Sequence, residues 1–261
     1  MAVPTGVDLK IKRAKEHICD LEARLLTFKN GNPYGVIPKL DSSTGEKKFH
    51  FRATQSIPAE IPLRTGEVIQ NLRSALDYVV WALVVVKGWP KRERDIGFPI
   101  SESADKYKAD RPRKVEGMCK GAIDAINLTK PYKGGTEELW QLHELNNREK
   151  HRLLLAAGIG FRVTTQQRFP APHVVTAGGV GRMLVQAPVV NIDSTPANAV
   201  FPVIDGDEIF AVPADANMDP QFTFDVAFNE SKIIEGKPIL PFLHQLTHRV
   251  EGIVGTLGSF L

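Results

Sequence analysis

Apolar residues recur at intervals of three and four along four long stretches of the chain, which is the spacing of one face of an α-helix. These stretches cover residues 5–29, 64–88, 136–157 and 238–260. In the second stretch the last two turns are apolar on all sides, which is typical of a helix covered by its neighbours. The pattern therefore predicts four long helices that pack together as a four-helix bundle.

Other segments alternate apolar and polar residues with the period of a β-strand. The clearest is 221–228, in which three phenylalanines and a valine occupy every second position. An Asp-Gly-Asp turn at 205–207 predicts a β-hairpin between 200–204 and 209–212. Further strands are predicted at 49–53, 161–169 and 183–186.

The order of these elements predicts the fold class α+β, with a four-helix bundle core and a small antiparallel β-rich insertion in one domain over residues 1–261. The helical core comprises residues 5–29, 64–157 and 238–260. The β-rich part comes from two insertions, 33–57 and 158–230.

Composition favours a soluble protein of a reducing compartment. Of the 261 residues, 43% are hydrophobic and 24% are charged, which is enough to bury a substantial core. The longest apolar run, 78–86, is less than half the length of a membrane-spanning helix. Cys19 and Cys119 match no metal or redox spacing, and the N-terminus has no apolar secretory core. We therefore expect a cytoplasmic protein with no membrane segment, metal or cofactor.

Basic residues concentrate in the first part of the chain. Residues 1–152 contain 27 Lys and Arg against 20 Asp and Glu, whereas residues 153–261 contain 6 against 10. A basic surface attracts phosphate groups, and a solvated helical surface of ordinary composition is the plainer interpretation of this excess. The charge pattern therefore permits nucleic-acid binding without requiring it.

The predicted third helix carries polar residues on the side that should be apolar. At about 100° per residue, its leucines at 139, 142, 145 and 153 fall in one arc of roughly 120°. The polar residues inside or beside this arc are His143, Asn146, Asn147, Glu149 and Lys150. An unpaired amide or carboxylate buried there costs on the order of 1–3 kcal/mol. We therefore expect these side chains to have partners and to mark a candidate site.

A second set of polar residues follows the predicted second helix. Glu67, Asn71 and Tyr78 form a stripe beside its apolar face, and Arg73 and Asp77 on the opposite flank have the i,i+4 spacing of an ion pair. One interpretation is an ordinary ion pair with polar helix flanks. In the other, the two helices form one site in which Arg73 binds an anion and His143 or His151 acts as general acid or base.

The segment Asn71-Leu-Arg73-Ser-Ala-Leu-Asp-Tyr78 resembles the Arg-x4-His element of HEPN helical-bundle proteins, many of which are metal-independent endoribonucleases. Arg73 matches the arginine of that element, and Tyr78 occupies the histidine position. The resemblance implies an RNA-cleaving cleft, usually at a homodimer interface, in the helical part of the chain. The block 142–152 also resembles a segment of uncharacterised bacterial proteins with a similar helical layout, and that resemblance implies no activity.

Two functional hypotheses remain open. In the first, a bacterial HEPN-like endoribonuclease, or an RNA- or nucleotide-binding protein, uses Arg73, Tyr78 and His151 as its catalytic set. The residues expected to bind the substrate are Glu67, Asn71, His143, Asn147, Glu149, Lys150 and Arg152. Tyrosine titrates near about 10, so Tyr78 is a poor proton shuttle at neutral pH. In the second hypothesis, the protein is a non-catalytic binding or assembly protein and its polar cluster is a buried hydrogen-bond network that fixes helix register.

Overall fold

A computed structural model of the chain shows a mixed α+β protein. It describes residues 5–86, 88–90, 92–151, 155–168, 189–194, 201–216, 218 and 220–261, without the side chains of 150, 151, 166–168 and 189–194. The predicted strand at 183–186 lies outside these residues.

Six helices and seven strands are present in the described part of the chain. The helices are α1 (Thr5–Asn30), α2 (Glu60–Val85), α3 (Ala104–Lys114), α4 (Lys120–Leu128), α5 (Glu137–His151) and α6 (Ile239–Gly258). The strands are β1 (Tyr34–Asp41), β2 (Glu46–Ala53), β3 (Ala157–Arg168), β4 (Val189–Ser194), β5 (Glu208–Pro213), β6 (Gln221–Glu230) and β7 (Ile234–Pro238). These helices and strands confirm the predicted fold class, α+β.

Two compact units divide these elements. The first comprises residues 1–31, 57–157 and 227–261, and the second comprises residues 32–56 and 158–226. All six helices belong to the first unit. The two segments of the second unit start and end within a few residues of the predicted β-rich insertions.

Helix α2 is the central element of the first unit, where it contacts α1, α5 and α6. Its first turn accommodates Pro62, because a proline there removes no helical hydrogen bond. It ends at Val85, and Gly88 then adopts a positive φ of 128° that a larger side chain rarely takes. Fourteen of its residues are buried, and the last of them, Val79, Val80, Leu83 and Val84, agree with the apolar sequence of its last two turns.

The same helix is long and apolar enough to cross a membrane by length and composition. Its most apolar window has a mean hydropathy of 1.2, and 56% of that window is buried inside the protein. Its contacts with three other helices account for this apolar surface as core packing.

Helix α5 approaches α2 closely at one glycine. A Cβ atom added to Gly66 would lie 2.8 Å from Cγ of Glu149, closer than nonbonded carbon atoms pack. The carboxylate-bearing side chain of Glu149, one of the residues in the polar arc of α5, therefore occupies space that only glycine leaves open.

The second unit contains a three-stranded sheet of order β1-β2-β5. Strands β1 and β2 form an antiparallel hairpin, and β5 pairs antiparallel with β2 so that Phe210 lies opposite Phe49. The predicted hairpin between 200–204 and 209–212 is therefore wrong. The Asp-Gly-Asp turn does exist, but Gly206 N donates to Phe51 O and Phe51 N donates to Asp207 O, so the turn is paired with β2.

A four-stranded sheet has the order β4-β3-β6-β7. Strands β6 and β7 pair antiparallel, with Ala227 opposite Pro238, and Phe228 of β6 meets Phe242 of α6 edge to face at 5.3 Å. Strand β3 begins at Ala157, so the predicted extension of the third helix to residue 157 is wrong. The β-branched and aromatic residues at 159, 161 and 163 favour the strand.

Helix α3 was not among the predicted elements. Ser103 caps it by accepting a hydrogen bond from Lys106 N at 3.2 Å, and its last turn is basic, which suits the negative end of the helix dipole. These capping signals were present in the sequence, but the helix is so polar that no apolar period marks it.

Gly66→Ala tests the close approach of α2 and α5. Alanine favours helix more than glycine, yet its Cβ would collide with Glu149, so we expect the unfolding free energy to fall by about 1–3 kcal/mol in urea denaturation. In a Glu149→Ala background the collision disappears, and the same substitution should raise stability by up to about 1 kcal/mol. Equal effects of Gly66→Ala in both backgrounds would contradict the packing.

Candidate functional site

The polar stripe of α2 faces α1. Glu67 Oε2 accepts a hydrogen bond from Arg64 Nη1 at 2.7 Å and lies 3.4 Å from Nδ1 of His17 in α1. Asn71 is buried, and its Nδ2 donates to Glu67 O at 2.8 Å. Two of the predicted binding residues, Glu67 and Asn71, therefore have partners at the α1–α2 boundary.

His17 is the buried titratable group of this boundary. Desolvation lowers the pKa of its imidazole from 6.5, and the positive charges of Arg13 and Arg64 act in the same direction. The carboxylates of Glu67 and Asp20 oppose the shift by raising the pKa. The neutral imidazole is therefore favoured in the folded protein.

Arg73 and Asp77 form the predicted i,i+4 ion pair, and this pair also holds the backbone of the segment between α2 and α3. Arg73 Nη1 donates to Asp77 Oδ1 at 2.7 Å, and Nη2 donates to Phe98 O at 2.9 Å. Asp77 Oδ1 also accepts from Phe98 N at 2.9 Å. Nearby, burial and then the charge of Arg73 lower the pKa of the Lys114 ammonium. Arg73 is 5% exposed, and its guanidinium donates to Asp77 and Phe98 within the protein.

The structure does not bring Arg73 and Tyr78 together. Five residues at about 100° each place their side chains roughly 140° apart around α2. Arg73 points toward Phe98, whereas Tyr78 is 47% exposed and lies against Gly6 and Lys10 of α1. The helical period alone could have shown that this pair does not converge within one chain.

Tyr78 lies where two surface depressions meet, a place that we call the Tyr78 junction. One depression, of about 430 Å³, runs along α1, and the other, of about 570 Å³, runs toward the 3₁₀ turn at 93–95. Both are lined by Gly6 and Tyr78. The residues that define the junction are Gly6, Lys10, Lys12, Arg13, Tyr78, Trp81 and Arg94.

The Tyr78 junction combines aromatic rings with a basic surface. Trp81 meets the exposed Trp89 edge to face, with ring centroids 5.6 Å apart. Lys10 Nζ lies 5.9 Å from the centroid of the Tyr78 ring. Four basic side chains line the two depressions against two acidic ones, Glu16 and Glu93. This arrangement can present stacking faces and positive charge to one ligand.

Sequence reasoning did not assign this junction. Trp89, which packs on Trp81, is 68% exposed. The available signal was the i,i+3 spacing of Tyr78 and Trp81 on one face of α2. The contribution of α1, through Lys10 and Arg13, is a tertiary contact that no local pattern contains.

Two polar residues of α5, Arg148 and Gln141, bind the end of β6 and the turn between β6 and β7. The Arg148 guanidinium donates to the Glu230 carboxylate and, at 3.0 Å, to Ser231 O. The other oxygen of Glu230 accepts from Ala156 N at 2.7 Å. Gln141 Nε2 donates to Ile233 O at 3.0 Å. Part of the polar face of α5 is therefore a structural network.

A second group of polar residues in α5 comprises His143, Glu144, Asn146 and Asn147. Asn147 Nδ2 lies 3.2 Å from His143 Nε2, so these two predicted residues are brought together. Burial raises the pKa of the Glu144 carboxyl, as does the nearby charge of Glu102. Asn146 is 3% exposed, and its Oδ1 has no hydrogen-bond partner among the described residues.

For three predicted site residues, the side chain is not among the parts that the structure describes. These are Lys150, His151 and Arg152, and for Arg152 the backbone also lies outside the described residues. His151 is the last residue of α5. The predicted convergence of His151 with Arg73 therefore stays a prediction.

In the described ranges, no group of three or more His, Cys, Asp or Glu side chains is arranged to hold a metal ion.

Comparison with known proteins gave no match to this chain. No protein-family model, no curated protein and no solved structure matches it. The geometry of the site is therefore the basis for any assignment of function.

Arg73→Met tests whether Arg73 is structural. Methionine keeps much of the volume but leaves Asp77 with a single partner and Phe98 O without one, so we expect a loss of about 2–3 kcal/mol of unfolding free energy. The matched control is Arg13→Met, which removes an exposed ion pair with Glu16 and should cost less than about 1 kcal/mol. Equal and small effects of both substitutions would contradict the structural role.

His17 makes the stability of the protein depend on pH. Because its folded pKa lies below the unfolded value of 6.5, the unfolded state takes up the proton first as pH falls. The stabilising contribution is complete above pH 6.5 and is lost as pH falls through the folded pKa. Urea denaturation between pH 7.5 and 5 should show this decline, and His17→Gln should flatten it. Glu67→Gln should steepen it, since Glu67 raises the His17 pKa.

Proposed function

We propose that this protein is a HEPN-like RNA-binding protein that does not cleave RNA, and that it contacts RNA at the Tyr78 junction. In this proposal α1, α2, α5 and α6 form a four-helix bundle of the HEPN type. The protein acts in the bacterial cytoplasm, where its two cysteines stay reduced, and it can pair as a homodimer through its helical part.

The arrangement of Arg73 is the observation that carries the non-catalytic part of the proposal. A catalytic arginine must reach the phosphate whose charge it stabilises. Here the guanidinium is 5% exposed and donates to Asp77 and Phe98. Moving it to a substrate would break its hydrogen bonds to Asp77 Oδ1 and to Phe98 O. Tyr78, the residue at the histidine position, lies on another side of the helix.

The composition of the Tyr78 junction supports binding of single-stranded RNA. Proteins that bind single strands combine aromatic side chains, on which bases stack, with basic side chains that follow the phosphates. Tyr78 and Trp81 supply the rings of the junction, and the exposed Trp89 packs against Trp81. Lys10, Arg13 and Arg94 are among the cations. The excess of basic residues in the first part of the chain agrees with this ligand.

Fluorescence anisotropy with a labelled single-stranded RNA tests the proposal. Tyr78→Ala should weaken binding about tenfold or more, because stacking of one base contributes roughly 1–3 kcal/mol. Lys10→Ala should weaken binding and lower the salt dependence by about 0.7 per lost phosphate contact. The matched control is Lys108→Ala, which removes one exposed lysine of α3 far from Tyr78 in sequence and should change neither quantity.

Incubation of the same RNA with the protein, with and without a chelator, separates binding from cleavage. We expect intact RNA in both conditions. Cleavage that disappears in Arg73→Met while the variant still folds would overturn the non-catalytic part. Binding that is absent, or equal in Tyr78→Ala and wild type, would overturn the RNA-binding part.

A further inference from the structure

Another concave surface of the helical unit shares no lining residue with the Tyr78 junction. It is a groove between α4, the first turns of α5, and α6, with a volume of about 670 Å³. We call it the α4–α6 groove and define it by Leu139, Gln245, His248, Arg249, Ile253 and Leu257. Its volume falls in the range of sites that hold small organic ligands, roughly 300–1,000 Å³.

The groove changes in polarity along α6. Gln245, His248 and Arg249 line it in the first half of the helix, and Ile253 and Leu257 line it further along. These residues span about three helical turns, or roughly 18 Å. The hydroxyl of Thr256, which also lines the groove, already donates to Gly252 O at 2.9 Å. One end of the groove is therefore polar and the other is apolar.

The polar end carries positive charge. Arg249 supplies this charge, and no Asp or Glu is among the described residues that line the groove. Glu138 stands beside it, where it accepts a hydrogen bond from Gln245 Nε2 at 2.8 Å and lies 3.9 Å from Arg249 Nε. That distance is at the limit of an ion pair, so the terminal nitrogens of Arg249, whose side chain is 43% exposed, can reach a ligand.

A glycine keeps the groove open. Gly252 lies in the middle of α6, where glycine lowers helix stability relative to alanine. A Cβ atom added there would meet nothing within 4 Å, so no close packing explains the glycine. The residue lines the groove, and a methyl group on it would project into the space that a ligand would fill.

We propose that the α4–α6 groove binds an amphipathic carboxylate, an acid with one anionic head and an extended apolar chain. The head pairs with Arg249 and accepts a hydrogen bond from the imidazole of His248, and the chain lies along the half of the groove that Ile253 and Leu257 line. The length of the groove, its change in polarity and its positive end all match such a molecule, whereas a cationic or uniformly polar ligand would match one end only. This site is independent of the Tyr78 junction and of the RNA-binding proposal.

Isothermal titration of the full chain with decanoate tests the site, and decylamine, which has the same chain with a positive head, is the matched ligand control. We expect one decanoate per chain, and decylamine at least about tenfold weaker because its ammonium faces Arg249. Arg249→Gln should weaken decanoate about tenfold. Absence of decanoate binding, or equal affinity for the two ligands, would overturn the proposal.

Gly252→Ala gives a variant whose loss of binding cannot come from misfolding. Alanine should raise Tm by about 2–4 °C, because it favours helix, and its methyl group should weaken decanoate binding at least severalfold. The matched control is Gly255→Ala, also in α6 with open space around it but outside the groove lining. It should raise Tm similarly and leave decanoate binding unchanged. Unchanged affinity in Gly252→Ala, or equal losses in both variants, would refute the site.

Discussion

The burial of one guanidinium, that of Arg73, imposes a condition that the surrounding structure has to meet. A buried charge without a partner costs several kcal/mol, and Arg73 sits in the central helix α2, which other helices cover. Asp77 supplies the counter-charge, and its carboxylate in turn accepts from Phe98 N. The pair therefore fixes where the chain runs after α2, and Phe98 enters the core beside it with no exposed surface. One electrostatic requirement thus positions a whole connecting segment.

A similar requirement operates at the far end of α5. Arg148 and Glu230 pair, and Glu230 also holds the backbone of Ala156, so the turn between β6 and β7 is attached to the helix. In both places an arginine of a helix pairs with a carboxylate, and the pair fixes the position of a loop or turn. Arg73, which matches the arginine of the Arg-x4-His element in the sequence, here joins α2 to the segment that follows it. In the part of the chain that the structure describes, the Tyr78 junction and the α4–α6 groove are concave surfaces with other lining residues.

Much of the helical architecture could be predicted because the helical period is local. The apolar spacing located α1, α2, α6 and the start of α5 within a few residues, although it extended α5 beyond its end at His151. The spacing of Arg73 and Asp77 indicated their ion pair. The strand pairing could not be predicted in the same way. The Asp-Gly-Asp turn suggested a local hairpin, but β5 pairs with β2, about 160 residues earlier. A turn motif specifies a bend and does not specify which strand lies beside it.

For the candidate site, the sequence alone determined which residue types lie on which face of each helix. It placed Glu67, Asn71 and Tyr78 on one side of α2 and Arg73 on another, because the helical period fixes directions around a single axis. Only the tertiary structure decided what each face meets. It put α1, with Lys10 and Arg13, beside Tyr78, and it buried Arg73 against Phe98. Which face becomes core and which stays open depends on contacts between distant segments, and those contacts are not encoded in any local period.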